Sequence, residues 1–347
     1  MSAHPRRRLF GAAAVIGVAG LGYFLARGSL LEAWYFVFIL AFGFLVGSLG
    51  LLMIGHLMSE EWLNPIRSEA EAAALTAPLL VGLALPLAFS LGSMYPWAGD
   101  AAPHLPPGRA TYLTPAFFLA RSAFYLATWT ALALWVTRTR HLRRASSMGL
   151  AVLAPTATFA ANDWVLSREP LWWSGLYGFS FAVSQLLAAL AGAILISLLR
   201  PEHPSAVRMQ SLERALLTLA LLTLWVWFAP FLIVWLGNLP QEAAWYLART
   251  GPWLWPLLGV ALPALVLAVV ILVPPGFGRR TMIAGSALLV LHHAAHMLWL
   301  LGPAGRNEQV TMIDALVGAA LAALWWMWFT VTLRSRPSFE EERGHPP

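Results

Sequence analysis

The acid–base chemistry of this chain is confined to a few places. The densest is the block Asn162-Asp163-Trp164-Val165-Leu166-Ser167-Arg168-Glu169-Pro170-Leu171-Trp172-Trp173-Ser174-Gly175-Leu176-Tyr177-Gly178. Only 11% of the residues are charged, so two acids and an arginine among three tryptophans need a reason. Carboxylates such as Asp163 and Glu169 can accept or relay protons. His292, His293 and His296 form a second group, and His292 and His296 share a face one helical turn apart. Imidazoles can ligate haem or a metal, relay protons near neutrality, or pair with polar groups in a bundle. His56 and Arg121 interrupt apolar runs, where an ionisable group is costly and a functional candidate by default. The chain has no cysteine, which excludes disulfides, thiolate zinc sites and iron–sulfur clusters ligated by its own cysteines. It has no phosphate-cradling glycine loop, Gly-x-Ser-x-Gly elbow or His-Glu-x-x-His pair.

The elements that position these residues are membrane helices. The 347 residues are 59% hydrophobic with a mean hydropathy of +0.68, too apolar for a soluble domain. Runs free of Asp, Glu and Arg predict ten spans: 9–26, 33–59, 72–99, 122–137, 145–162, 170–199, 215–241, 250–278, 281–305 and 315–333. Arg121 cuts the fourth short, so that helix reads as 113–136. The 9–26 run follows Arg6–Arg8 like a signal peptide, but it has no convincing cleavage site and is read as helix one. The expectation is an all-α integral membrane protein, with residues 1–334 as the membrane domain and 335–347 as a polar cytoplasmic tail.

All 22 basic residues are arginine. With the N-terminus inside, sixteen fall in cytoplasmic segments, five outside, and Arg121 within the membrane. This asymmetry predicts a multi-pass inner-membrane protein with both termini cytoplasmic. The net charge of +6 is therefore topological, and nothing suggests a nucleic-acid partner.

Depth then suggests partners. The 162–178 block lies on the outer face between helices five and six. Arg121 lies about two turns inside helix four from that face, and Asp163 is its nearest plausible partner in depth. A structural Arg–Asp pair and a functional site remain open there. His56 sits near the inner end of helix two, either capped near the headgroups or in a proton-relay or quinone role. The three helix-nine histidines face the same choice, with Asp314 a candidate partner. His56 lies at the opposite membrane side from them, which disfavours a bis-histidine haem. Trp97, Trp164, Trp173 and Tyr177 form a candidate aromatic wall at the outer face. Gly43 and Gly47 mark a close helix contact.

Several of these residues also carry a family resemblance. Met53-Ile54-Gly55-His56-Leu57, Met94-Tyr95-Pro96-Trp97, the Asp163–Pro170 stretch with Trp173-Ser174 and Tyr177-Gly178, and Gly237-Asn238-Leu239-Pro240-Gln241-Glu242 with Trp245-Tyr246-Leu247 occur in order. Together they resemble the NrfD-like membrane subunits of alternative complex III, the bacterial quinol:cytochrome c oxidoreductase, and most of all the smaller, ActF type. The resemblance implies two four-helix bundles (helices two to five and six to nine) flanked by the terminal helices. It also implies a subunit without a redox centre, a place in respiratory electron transfer, and a possible role in quinone binding and a proton path. The quinol would be menaquinone or ubiquinone. The implied partners are an iron–sulfur protein and a multihaem cytochrome, which carry the clusters and haems, and a second NrfD-like subunit. One departure stands out: where that family carries an arginine followed by an acid on helix nine, this chain has His293 and His296. The competing classes are a secondary transporter, with Arg121 holding an anionic substrate and Pro86 and Pro263 breaking helices three and eight, and a purely structural anchor.

Overall fold

The protein is described by a computed structural model over residues 29–58, 60–100, 102–200, 206–274, 276, 278–304 and 312–336. The predicted first span, 9–26, lies outside the described residues, as does most of the tail. No strand occurs among the described residues. This suits hydrocarbon, where only a helix or a closed barrel satisfies its own backbone.

The helices are α1 (Ser29–Met58), α2 (Arg67–Ala74), α3 (Ala77–Ala84), α4 (Leu87–Met94), α5 (Pro107–Tyr112), α6 (Pro115–Val136) and α7 (Leu142–Trp164). After the 165–176 loop come α8 (Tyr177–Leu199), α9 (Ala206–Gly237) and α10 (Pro240–Leu247). A π-helical stretch (Trp255–Ala261) leads into α11 (Leu262–Leu272), then α12 (Arg279–Leu301) and α13 (Met312–Leu333).

Among the described residues, seven helices are long and apolar enough to cross a membrane: α1, α6, α8, α9, the Gly251–Leu272 stretch, α12 and α13. The chain is thus a multi-pass helical membrane protein. The pair Asn64–Ala84 and Leu87–Met94 passes the same test together and bends by 64° at Leu85-Pro86, as a broken span or a re-entrant loop does. Proline removes a helix donor there, and the Leu83 carbonyl is taken by the Trp34 indole at 2.8 Å. α7 has the length of a span, with 23 residues, but Arg143 and Arg144 at one end and Asn162 and Asp163 at the other dilute its apolarity. The predicted sixth span starts later than its apolar run: 170–176 is loop, and the helix begins at Tyr177.

α1 is the centre of the molecule. It packs against α7, α8 and α13, with α2, α3 and α6 beside it. α8 in turn contacts α7, α9 and α12, and α11 lies on α12. The α1–α8 crossing depends on two glycines. A Cβ at Gly43 would stand 1.9 Å from the Gln185 side-chain oxygen, and one at Gly47 would stand 2.2 Å from the Gln185 backbone carbonyl. Without a hydrophobic force between helices in lipid, such close backbone approach is what holds them. Beside the seam, Phe38, Phe42 and Trp129 pack around Trp164, and Phe181 stacks on Phe42.

Candidate functional site: the ion-paired end of the bundle

The 162–170 segment is fastened by three arginine–carboxylate pairs drawn from distant parts of the chain. Arg121 on α6 reaches Asp163 at the end of α7 with both forks, Nε to Oδ2 at 2.8 Å and Nη2 to Oδ1 at 2.9 Å. Tyr125, one turn along from Arg121, donates its hydroxyl to the same carboxylate at 2.8 Å. The guanidinium also donates to the Tyr112 carbonyl and lies against the rings of Tyr112 and Phe117, which meet edge to face. Asp163 is completely buried. Its oxygens are filled by charge-assisted bonds, the strong kind.

Arg168 turns back to Glu32 at the start of α1, again through two nitrogens, and lies over the Tyr35 ring. Burial opposes the Arg168 charge, but Tyr35 and Glu32 outweigh it and hold the group more firmly protonated than an ordinary arginine. Glu169 is gripped by Arg249, whose Nη1 donates to Oε1 at 3.0 Å. Arg249 also donates to the carbonyls of Trp245 and Leu300 and stacks on Trp245, 3.6 Å from the ring centre. Where α7 ends, the free carbonyl of Trp164 accepts from both Tyr35 and Tyr95, at 2.9 and 3.0 Å. Beside Asp163 the Tyr112 hydroxyl is pushed up to about 12, by burial first and then by the neighbouring carboxylate.

This end of the bundle leaves little space at Asp163. The cavity lined by Arg109, Tyr112, Asn162, Asp163 and Trp172 measures about 50 Å³, far below the several hundred Å³ of small-molecule pockets. A larger opening of about 340 Å³ lies between α1, α12 and α13, with Glu32, Tyr35, Trp253 and Leu301 in its wall. Of the predicted aromatic wall, Trp97, Trp164 and Tyr177 are buried in the bundle. Trp173 is exposed and lies under the Arg109 guanidinium.

The helix-nine histidines sit elsewhere, inside the second half of the molecule on α12. His292 bonds through Nδ1 to the carbonyl of Ala261, at the end of the π-helical stretch, at 2.8 Å. His292 and His296 stack with ring centres 5.6 Å apart, and His296 meets the Trp227 ring edge-on. His293 meets Phe44 of α1. Several buried polar atoms here have no protein partner: His293 Nε2, His296 Nδ1, Gln185 Oε1, Thr223 Oγ1, Ser286 Oγ and Trp299 Nε1. Buried polar atoms without a protein partner are the natural partners of internal water. No cluster of three metal-ligating side chains occurs among the described residues. His56 bonds Ser146 through Nδ1 at 3.0 Å. Asp314 starts α13, and its side chain lies outside the described residues.

The structure thus joins Arg121 to Asp163, keeps Glu169 and the histidines in separate places, and adds residues the sequence reading passed over. Glu32 and Arg249 had registered only as span edges and topology markers. Tyr125 was discoverable, since it lies four residues from Arg121 on the same helical face. Buried Glu69 and Glu71, at the opposite end of the molecule, had merely marked the start of a span. No protein-family model matches the chain, and no curated protein matches it significantly.

Proposed function

We propose that this chain is a membrane subunit of a quinol:cytochrome c oxidoreductase of the alternative complex III type, serving respiratory electron transfer without a redox centre of its own. What carries the reading is the arrangement of the 162–178 block. The segment that bears the family resemblance is also the segment pinned by three long-range ion pairs into a rigid polar platform at one end of the bundle. Its rim exposes Leu171 and Trp173, apolar groups suited to a partner. On this reading the platform faces outward and carries the iron–sulfur and multihaem module, beside a second NrfD-like subunit. On this reading the chain crosses a bacterial inner membrane ten times with both termini cytoplasmic: the seven helices above, the bent pair, α7, and the run 9–26 expected from the sequence. The packing of α1 with α3, α6 and α7, and of α8 with α9 and α12, on which α11 lies, supports two four-helix groups meeting at the α1–α8 seam.

Within that role the residues divide. Asp163 and Glu169 are occupied by arginines, which favours fastening over proton acceptance. The histidines of α12 are the part suited to carrying protons, since His293 Nε2 and His296 Nδ1 have no protein partner. Room for a menaquinol or ubiquinol ring lies at the 340 Å³ opening by Glu32 and not at Asp163. The test is mild-detergent purification of the tagged full chain from its native membrane. The reading expects haem absorbance and quinol:cytochrome c reductase activity in the same peak. A haem-free, monodisperse chain would overturn it.

A second reading has its own support. The 64° break at Pro86 and the π-helical stretch before Pro263 are interruptions of the kind transporters use. Substrate flux catalysed by the isolated chain in liposomes would favour it.

A further inference from the structure

At the end of the bundle opposite the platform, the elements around α2 make a second charged site with a different balance. Glu69 and Glu71 are both buried there. Glu69 binds Arg200 at 2.9 Å, and Glu71 binds Arg67 and Arg336, each at 3.0 Å. Arg279, from the start of α12, donates Nη2 to the Leu198 carbonyl at 2.7 Å, two residues from Arg200. Among the described residues, three guanidinium groups thus meet two carboxylates, and Arg279 is fastened beside them to the end of α8, an excess of two positive charges within that set.

Much donor capacity is left over. Each arginine carries five N–H groups. Arg67 spends Nε, Arg279 spends Nη2, Arg336 spends Nη1, and Arg200 spends Nη1 on Glu69 and Ser68. The side chains of Arg67, Arg200 and Arg336 are each 21–31% exposed, so they remain accessible at this end. Beside them opens an apolar cavity of about 200 Å³ between α1, α2, α8 and α13, lined by Phe44, Ala73, Gly192, Leu199 and Trp325 with Glu69 at its charged edge. The excess charge and the apolar slot lie side by side, the geometry of an amphiphile with an anionic head.

We propose that this end of the molecule binds an anionic phospholipid, one acyl chain lying in the slot between α8 and α13 and the phosphate held by the unspent donors of Arg200, Arg279 and Arg336. The charge complementarity selects this occupant: a zwitterionic lipid leaves the excess of two uncompensated. A doubly charged diphosphatidylglycerol matches it. Basic pockets between spans on the cytoplasmic side are where such headgroups bind, and the arginine asymmetry predicts that side for this end. The site does not depend on the redox reading, since a transporter or an anchor with these residues would bind the same lipid.

The experiment uses the full-length chain in nanodiscs of phosphatidylcholine containing a minor fraction of diphosphatidylglycerol, with native mass spectrometry reading the lipid retained after release. One diphosphatidylglycerol per chain is expected. The double variant Arg279→Gln with Arg336→Gln leaves Glu71 paired with Arg67 and Glu69 with Arg200, so it should fold. Loss of two cations at the membrane surface weakens retention about thirtyfold. Gly192→Leu, which fills the slot without touching a charge, should also release the lipid. Retention of phosphatidylcholine in equal amount, or undiminished diphosphatidylglycerol on the folded double variant, overturns the proposal. Competition by free inorganic phosphate with no effect of Gly192→Leu would show an anion site without a lipid, and overturns it equally.

Discussion

Replacing Asp163 by Asn separates a fastening role from a proton-accepting one. The carboxylate is fully buried and its arginine partner is 11% exposed. Removing one member of a buried ion pair costs about 3–5 kcal/mol, because the other charge is left uncompensated. Two features pull the value to the lower end. An Asn oxygen still accepts from Arg121 or Tyr125, and the cation keeps the rings of Tyr112 and Phe117, a contact worth about 0.5–2 kcal/mol. Asp163→Asn should therefore lose about 3 kcal/mol. The double variant Arg121→Met with Asp163→Leu removes both charges, and apolar replacement of a buried pair is neutral or stabilising by about 1–4 kcal/mol. Against that, Tyr125 loses its acceptor, at about 1–3 kcal/mol. The double variant should thus lie within about 1 kcal/mol of the parent, far above the sum of the single changes. Equilibrium unfolding in bicelles with increasing dodecyl sulfate, followed by tryptophan fluorescence, measures the parent, Asp163→Asn, the single variants Arg121→Met and Asp163→Leu, and the double variant, and Trp129 and Trp164 report from beside the pair. Strict additivity of the two substitutions would refute the reasoning. So would an Asp163→Asn protein of unchanged stability whose complex no longer turns over, since that is the signature of a proton acceptor.

Other outcomes follow from the same geometry. Gly47→Ala should destabilise more than Gly43→Ala by melting temperature, because the new methyl meets the Gln185 backbone in the first case and a movable amide in the second; overpacking of this kind costs about 1–3 kcal/mol. Arg249→Lys keeps the charge but loses the fork on Glu169 and the stack on Trp245, and should speed proteolysis in the 170–176 loop, where Glu169→Gln alone does less. Tyr112 ionises near 12 instead of 10.0, so its neutral form favours the fold below pH 10, and that contribution is lost as pH rises from 10 to 12; Tyr112→Phe should flatten that part of the stability curve. Oxidative footprinting by radiolysis should label Met297 and Trp227, beside the unpartnered polar atoms, despite their depth, and His293→Phe should suppress the labelling.

The sequence made the helices legible because membrane spans announce themselves by missing charge, and the runs at 33–59, 281–305 and 315–333 match α1, α12 and α13 closely. Arg121 and Asp163 could be matched because depth is nearly one-dimensional, and Asp163 was the nearest plausible carboxylate in depth. The other two pairs could not be matched that way. Arg168 and Arg249 sit in loops, where an arginine can point anywhere and reads as a topology marker. Glu32 sits just outside an apolar window, so the rule that found the span discarded the acid that latches it. The inner carboxylates Glu69 and Glu71 were lost in the same manner. The kink at Pro86 was readable from the proline, whereas a π-helical stretch has no comparable residue signature.

The three latches also set a timetable for biogenesis. Glu32 is separated from Arg168 by 136 residues, Arg121 from Asp163 by 42, and Glu169 from Arg249 by 80. A chain made from its N-terminus therefore carries Glu32 as an unmatched acid through the synthesis of α2 to α7. It then closes two latches almost together, when 163–168 emerge. Glu169 is exposed in its turn until Arg249 is made. A nascent chain stalled between α8 and α10 would have its first half locked and its second half open, with an unpaired glutamate at the join. Quality-control proteases that survey the membrane would meet that intermediate as a half-closed molecule with one charge showing.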